Sequence, residues 1–112
     1  MTLSTHVLDT SRGRPAAGVG VTLSAQGPRG WTELARGTTD ADGRIATLLP
    51  SPAPAVAGTT FRLRFAVGEY FATRGEAAFY PYVEVVFTAH DDGHYHVPLL
   101  VSPFGYSTYR GS

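Results

Sequence analysis

Alternation of apolar and polar side chains runs through most of this chain and breaks mainly at glycine and proline. Leu3 to Leu8 reads as a first strand, with Leu3, Thr5 and Val7 pointing one way and Ser4, His6 and Leu8 the other. Ser11-Arg12-Gly13-Arg14-Pro15 follows as a loop. Val19, Val21, Leu23 and Ala25 alternate with Gly20, Thr22 and Ser24, the mark of a half-buried strand, and Gly27-Pro28-Arg29-Gly30 then turns the chain. Trp31 to Gly37 predicts a further strand, ended by Thr38 to Gly43, where Asp42-Gly43 is a hairpin signal. Arg44 to Leu49 is expected to return as a short strand, which sets Arg44 where a turn meets a strand. Pro50 to Gly58 holds three prolines and is read as a loop.

The second half repeats the pattern. Thr60 to Ala66 puts Phe61, Leu63 and Phe65 on one face and Thr60, Arg62 and Arg64 on the other. The period of two fails over Gly68 to Arg74, which predicts a short helix stopped at Gly75. Tyr82 to Thr88 is a strand with Val83, Val85 and Phe87 as its apolar face. Asp91-Asp92-Gly93 is a turn, and His94 to Val101 and Gly105 to Arg110 form a final pair around Ser102-Pro103-Phe104. Eight strand candidates and one short helix, with no internal repeat, predict an antiparallel β-sandwich.

Composition narrows the chemistry. A chain of 112 residues suits one domain over residues 1–112 and leaves a monomer only modestly stable, so self-association would help it. Nine basic and nine acidic residues give a formal net charge of zero, a poor match to nucleic acid or an anionic membrane. Every basic residue is Arg, which removes lysine Schiff-base chemistry. The chain has no Cys, so disulfides, thiolate metal sites and a cysteine nucleophile are excluded. Met1 to Thr10 lacks the basic and apolar regions of a signal peptide, and Arg110-Gly111-Ser112 is not a peroxisomal address; a cytoplasmic location is the expectation.

Few side chains remain that could carry a reaction. His90, His94 and His96 lie within one seven-residue stretch, and His94 and His96 share a face of their strand. Such a pair can offer two metal ligands, but a third must come from His90, Asp91, Asp92 or another residue of that kind. No G-x-S-x-G, phosphate loop or dinucleotide fingerprint occurs. Asp40, Asp42, Asp91 and Asp92 sit in turns, where Asp is expected in any case. These features alone leave hydrolysis and binding both open.

Three stretches resemble signature segments of 5-hydroxyisourate hydrolases of the transthyretin-like family. They are Leu3-Ser4-Thr5-His6-Val7-Leu8-Asp9-Thr10 with Gly13-Arg14-Pro15-Ala16; Thr39-Asp40-Ala41-Asp42-Gly43-Arg44; and Tyr95 to Leu100 running on through Ser102-Pro103-Phe104-Gly105-Tyr106-Ser107-Thr108 into Tyr109-Arg110-Gly111-Ser112. Tyr82 to Ala89 also resembles the corresponding strand of transthyretin. The resemblance implies an all-β, transthyretin-like sandwich of two four-stranded sheets with one short helix. It implies a homotetramer, a dimer of dimers with active sites where subunits meet, and a reaction that needs no cofactor or metal. Water adds to a carbonyl carbon of 5-hydroxyisourate, a ring C–N bond breaks, and 2-oxo-4-hydroxy-4-carboxy-5-ureidoimidazoline results, a step in urate degradation.

By that resemblance His6, Arg44 and His96 are the catalytic set, with the C-terminal segment lining the site. Arg44 would bind substrate, since its planar cation suits a carbonyl-rich ring. His6 and His96 would transfer protons, with His96 preferred for activating water. Tyr109, Arg110 and Ser112 would bind substrate or anchor the terminus, and His94 would stand beside the site. Two other readings compete: a transthyretin-like carrier of a small hydrophobic hormone, and a non-catalytic β-sandwich binding metal through His94 and His96.

Overall fold

The computed structural model describes residues 1–49 and 58–112, and there the alternating segments become two sheets that enclose one core. The elements are β1 (Thr2–Asp9), β2 (Arg14–Pro15), β3 (Gly20–Gly27), β4 (Gly30–Thr38), β5 (Arg44–Ile45), β6 (Thr59–Phe65), α1 (Val67–Ala72), β7 (Val83–Ala89), β8 (His94–Ser102) and β9 (Gly105–Thr108). Leu3 and Val7 of β1, Val21 and Leu23 of β3, Leu63 and Phe65 of β6 and Leu99 and Val101 of β8 are buried, the apolar faces that the period of two picks out. Ser24 is buried too, because a register shift between Leu23 and Ser24 interrupts the alternation of β3 against β4. No helix among the described residues is long and apolar enough to cross a membrane.

The sheets differ from two sets of four. One is four-stranded, in the order β4-β3-β6-β7; the other runs β2-β1-β8-β9 with β5 also paired to β1, five strands in all. The two-residue strands β2 and β5 share the edge of β1 that β8 leaves free. The expectation of antiparallel pairing throughout is also corrected: β1 and β8 run parallel over eight residue pairs. They lie near opposite ends of the chain, so no hairpin fixes their direction.

Two local expectations change as well. Asp42-Gly43 forms a turn but not a hairpin, because β4 pairs with β3 in one sheet and β5 with β1 in the other. The strand expected over Arg44 to Leu49 stops at Ile45. Leu48 and Leu49 are both buried, which an alternating strand cannot achieve for adjacent residues, and the Leu48 amide donates to the Leu3 carbonyl instead. The loop expected over Pro50 to Gly58 lies, for residues 50–57, outside the described residues. The helix is found at Val67–Ala72, and Gly75 adopts the left-handed conformation (φ 73°) expected of a glycine stop.

Asp9 locks the end of β1 to the helix. Its carboxylate is fully buried and accepts hydrogen bonds from Ser11 Oγ (2.6 Å), Arg12 Nη1 (2.8 Å) and Tyr70 Oη (2.8 Å), while Arg12 also pairs with Glu76. Burial pushes the carboxyl pKa up, but the bonds from Ser11, Arg12 and Tyr70 outweigh it and hold the value at about 2. A depressed folded pKa gives stability that is present above the unfolded value of about 3.9 and is lost as pH falls through about 2. The shift corresponds to about 2 kcal/mol at neutral pH. We expect Tyr70→Phe, which deletes one donor, to lower the unfolding free energy at pH 7 by about 1–3 kcal/mol in urea titrations. An unchanged midpoint would rule out this lock.

Candidate active site

β1 collects the candidate residues from three distant parts of the chain. Cross-strand partners share a face of a sheet. The parallel register with β8 sets Thr2 opposite His94 and Ser4 opposite His96; the antiparallel register with β5 sets His6 opposite Arg44. Thr2, Ser4, His6, His94, His96 and Arg44 therefore all lie on the face opposite the buried Leu3, Thr5 and Val7. Ser4, Thr5, Arg44, Ala46, His94, His96 and Ser112 line a cleft of about 320 Å³ on this outer side.

The loop before Arg44 is built to deliver it. Asp40 Oδ1 accepts from the amides of Asp42 (2.9 Å) and Arg44 (3.0 Å), an Asx-type closure, and the Gly43 amide donates to the Asp40 carbonyl (2.9 Å). Gly43 has φ 73°, and a Cβ there would stand 2.4 Å from the Val7 carbonyl oxygen. Only glycine both adopts that conformation readily and lets the turn press on β1, where the Val7 amide donates to the Gly43 carbonyl at 2.7 Å. The Arg44 side chain, exposed at its head, thus starts from a backbone held on two sides.

Electrostatics favour neutral imidazoles beside this cation. Burial and then Arg44 lower the His6 pKa, against an opposing pull from the Asp42 carbonyl and the carboxylates of Asp40 and Asp42. Burial likewise lowers the His96 pKa, followed by Arg44, His6 and His94. His96 Nδ1 is held by Ser4 Oγ at 2.7 Å, and its Nε2 has no hydrogen-bond partner among the described residues. A neutral ring with one nitrogen anchored and the other open in a cleft is a competent proton acceptor.

The C-terminus divides between two faces. The pairs Leu99–Thr108 and His96–Gly111 share one register, so Pro98 and Val97 stand opposite Tyr109 and Arg110. Pro98 has no N–H to give the ladder, and β9 ends at Thr108 rather than at Arg110 as expected. The Arg110 guanidinium lies 4.5 Å over the Tyr95 ring, and Tyr95 faces away from His94 and His96. Tyr109 and Arg110 line a second cleft, of about 350 Å³, with Val85, Phe87 and Tyr95. Within one chain, then, the structure brings Arg44, His96 and Ser112 to one cleft, sets His6 next to Arg44 on the same face, and places Tyr109 and Arg110 elsewhere. Ser4 and His94 join the cleft although the sequence reading gave Ser4 no role and set His94 beside the site. Among the described residues no three His, Asp or Glu side chains are grouped to hold a metal ion.

Comparison with known proteins gives a consistent result. A family model described as "HIUase/Transthyretin family" matches residues 3–111. The 5-hydroxyisourate hydrolase of Salmonella typhimurium is 47% identical over 111 residues, covering 98% of this chain and 80% of that protein. The structure of Klebsiella pneumoniae 5-hydroxyisourate hydrolase matches with a TM-score of 0.87 at 42% identity, covering 100% of both chains. Sea bream transthyretin, solved in complex with thyroxine, matches with a TM-score of 0.88 at 36% identity, over 97% of this chain and 93% of that one.

Proposed function

The chain belongs to the HIUase/transthyretin family, and from that premise we propose that it is a hydrolase that opens the ring of 5-hydroxyisourate in urate degradation. The observation that carries this reading is the meeting of Arg44, His96 and Ser112 in one cleft, with His6 beside Arg44 on the same sheet face. The cation of Arg44 and the imidazoles of His94 and His96 suit a carbonyl-rich ring better than a hydrophobic hormone, which favours the hydrolase over the carrier.

His96 Nε2 takes a proton from water as the water oxygen adds to the substrate carbonyl carbon. The Arg44 guanidinium receives the oxyanion that develops, as a fixed cation in a partly desolvated site. The tetrahedral centre then collapses, the ring C–N bond breaks and the leaving nitrogen takes up the proton held by His96, with His6 beside Arg44 as a second proton-transfer group on the same face. Ser112 holds the substrate from the end of the cleft. Arg110 anchors the terminus through Tyr95, and Tyr109 and Arg110 act on substrate only where another subunit meets the cleft.

Residues 1–112 act as one domain, in a homotetramer whose active sites lie between subunits. Among the described residues the outer strands β7 and β9 each present an unpaired edge, and Val86 and Tyr109 beside them are more than half exposed; both features suit association. A cytoplasmic location fits the Cys-free composition.

The test generates 5-hydroxyisourate with urate oxidase and follows its ultraviolet absorbance. We expect the purified protein to accelerate the decay well above buffer and to do so equally after chelation with EDTA. Decay at the buffer rate would defeat the hydrolase reading, and loss of activity on chelation would restore the metal reading.

A further inference from the structure

His96 does not end at its own ring. Its Nδ1 lies 2.7 Å from Ser4 Oγ, Ser4 Oγ lies 3.0 Å from His94 Nε2, and His94 Nδ1 lies 2.6 Å from Thr2 Oγ1. Four polar side chains from β1 and β8 thus form one continuous hydrogen-bonded row. The parallel register makes it possible, since Thr2 and Ser4 stand directly opposite His94 and His96. Ser4 is 9% exposed and His94 is exposed, so the row runs from the cleft to solvent.

A hydroxyl owns one proton. Between two neutral imidazole nitrogens, Ser4 donates to one ring and accepts from the other, so the two rings hold linked tautomers. If His96 Nδ1 carries hydrogen and donates to Ser4, then Ser4 donates to a bare His94 Nε2, and His96 Nε2 is free to accept a proton. The opposite arrangement leaves hydrogen on His96 Nε2.

We propose that Ser4 and His94 are positioning residues that relay protons for His96, so that one imidazole serves first as base and then as acid. This rests on the hydrolase reading. When His96 Nε2 takes a proton from the attacking water, the Nδ1 proton passes to Ser4 Oγ and the Ser4 proton passes to His94 Nε2. His96 is left neutral with hydrogen on Nε2, and the positive charge rests meanwhile on the exposed His94. When the leaving nitrogen takes the Nε2 hydrogen, the His94 Nε2 proton returns through Ser4 Oγ to His96 Nδ1 and the row is restored. The only proton the row gains and loses is the one exchanged at His96 Nε2. The gain is electrostatic: a cation on His96 would face Arg44 and His6, whereas His94 stands two residues farther along the strands from the register position of Arg44.

Two measurements on the intact protein test this. Nitrogen-15 NMR of the imidazoles reads which ring nitrogens carry hydrogen. We expect the states of His96 Nδ1 and His94 Nε2 to be opposite in the unaltered protein and unlinked in Ser4→Ala. In the 5-hydroxyisourate assay, Ser4→Ala and His94→Phe should lower kcat by about tenfold or more with little change in KM, and Ser4→Thr, which keeps the hydroxyl, should restore most of it. The solvent deuterium effect on kcat should show several protons in flight in the unaltered enzyme and fewer in Ser4→Ala. Unlinked ring states in the unaltered protein, or a kcat preserved in Ser4→Ala, would overturn the relay. Linked rings in a protein that does not hydrolyse 5-hydroxyisourate would instead defeat the assigned reaction and leave the coupling standing.

Discussion

His96→Asn should lower kcat/KM for 5-hydroxyisourate by about 10²–10⁴-fold, the usual range for loss of a positioned general base. Asn keeps a polar side chain able to reach Ser4 but has no nitrogen that titrates. The loss should fall mainly on kcat, because Arg44 and Ser112 still line the cleft and still bind substrate. The pH profile of the unaltered enzyme carries the same argument. A base works in its unprotonated form, so activity is lost as pH falls through its pKa. Burial, reinforced by Arg44, His6 and His94, lowers the His96 pKa. The acid limb of kcat/KM should therefore lie below the ordinary imidazole value of about 6.5, and replacing Arg44 by Gln should move it upward by removing a nearby positive charge. A limb at or above the ordinary value, or a His96→Asn variant within a few-fold of the unaltered enzyme, would take His96 out of the role of base.

How much of this was legible in the sequence depends on whether a feature is local. The alternation in β1, β3 and β6 and the loss of that period at the helix are set by neighbouring residues, and the sequence pattern places them within a residue or two. Arg44 is placed by a local motif as well, since Asp40 and Gly43 build its turn from within five residues. The partner of that turn was not legible. Asp42-Gly43 looks like a hairpin whether the chain returns to the same sheet or crosses to the other, and the crossing shows only in the pairing of β4 with β3 and of β5 with β1. The link between Ser4 and His94 was missed for a stronger reason. Their contact spans ninety positions and exists only because β1 and β8 run parallel in one register. A sequence signal was available: Thr2-x-Ser4-x-His6 and His94-x-His96 are both polar at a period of two, and two such stripes fit one sheet face. The end of β9 escaped because the residue that stops the ladder, Pro98, lies on the strand opposite.

Gly111→Ala should cost about 10²-fold in kcat/KM, although it adds a single methyl group. Gly111 pairs with His96 across the strands, and its amide donates to the His96 carbonyl at 2.8 Å. Cross-strand partners share a face, so a Cβ at position 111 points at the His96 ring, where it would stand 2.5 Å from Cδ2 and 3.2 Å from Cγ. The ring cannot yield freely, because Ser4 Oγ holds its Nδ1. Either the imidazole tilts away from Ser4 and from the substrate, or the chain end lifts and carries Ser112 out of the cleft. A displacement of about 1 Å in a catalytic group costs on the order of 10²-fold, and we expect that loss in kcat/KM. Stability should hardly change, because Gly111 lies beyond the last long strand and outside the core, so thermal unfolding should stay within a few degrees of the unaltered protein. Gly105→Ala is the matched control: its Cβ would meet Ser102 Oγ at an ordinary 3.6 Å, and activity should be retained. Deletion of Tyr109 to Ser112 should abolish hydrolysis by removing both the packing on His96 and the end of the cleft. If Gly111→Ala were as active as Gly105→Ala, the C-terminal segment would be a bystander to His96, and the arrangement of the site would have to rest on β1, β5 and β8 alone.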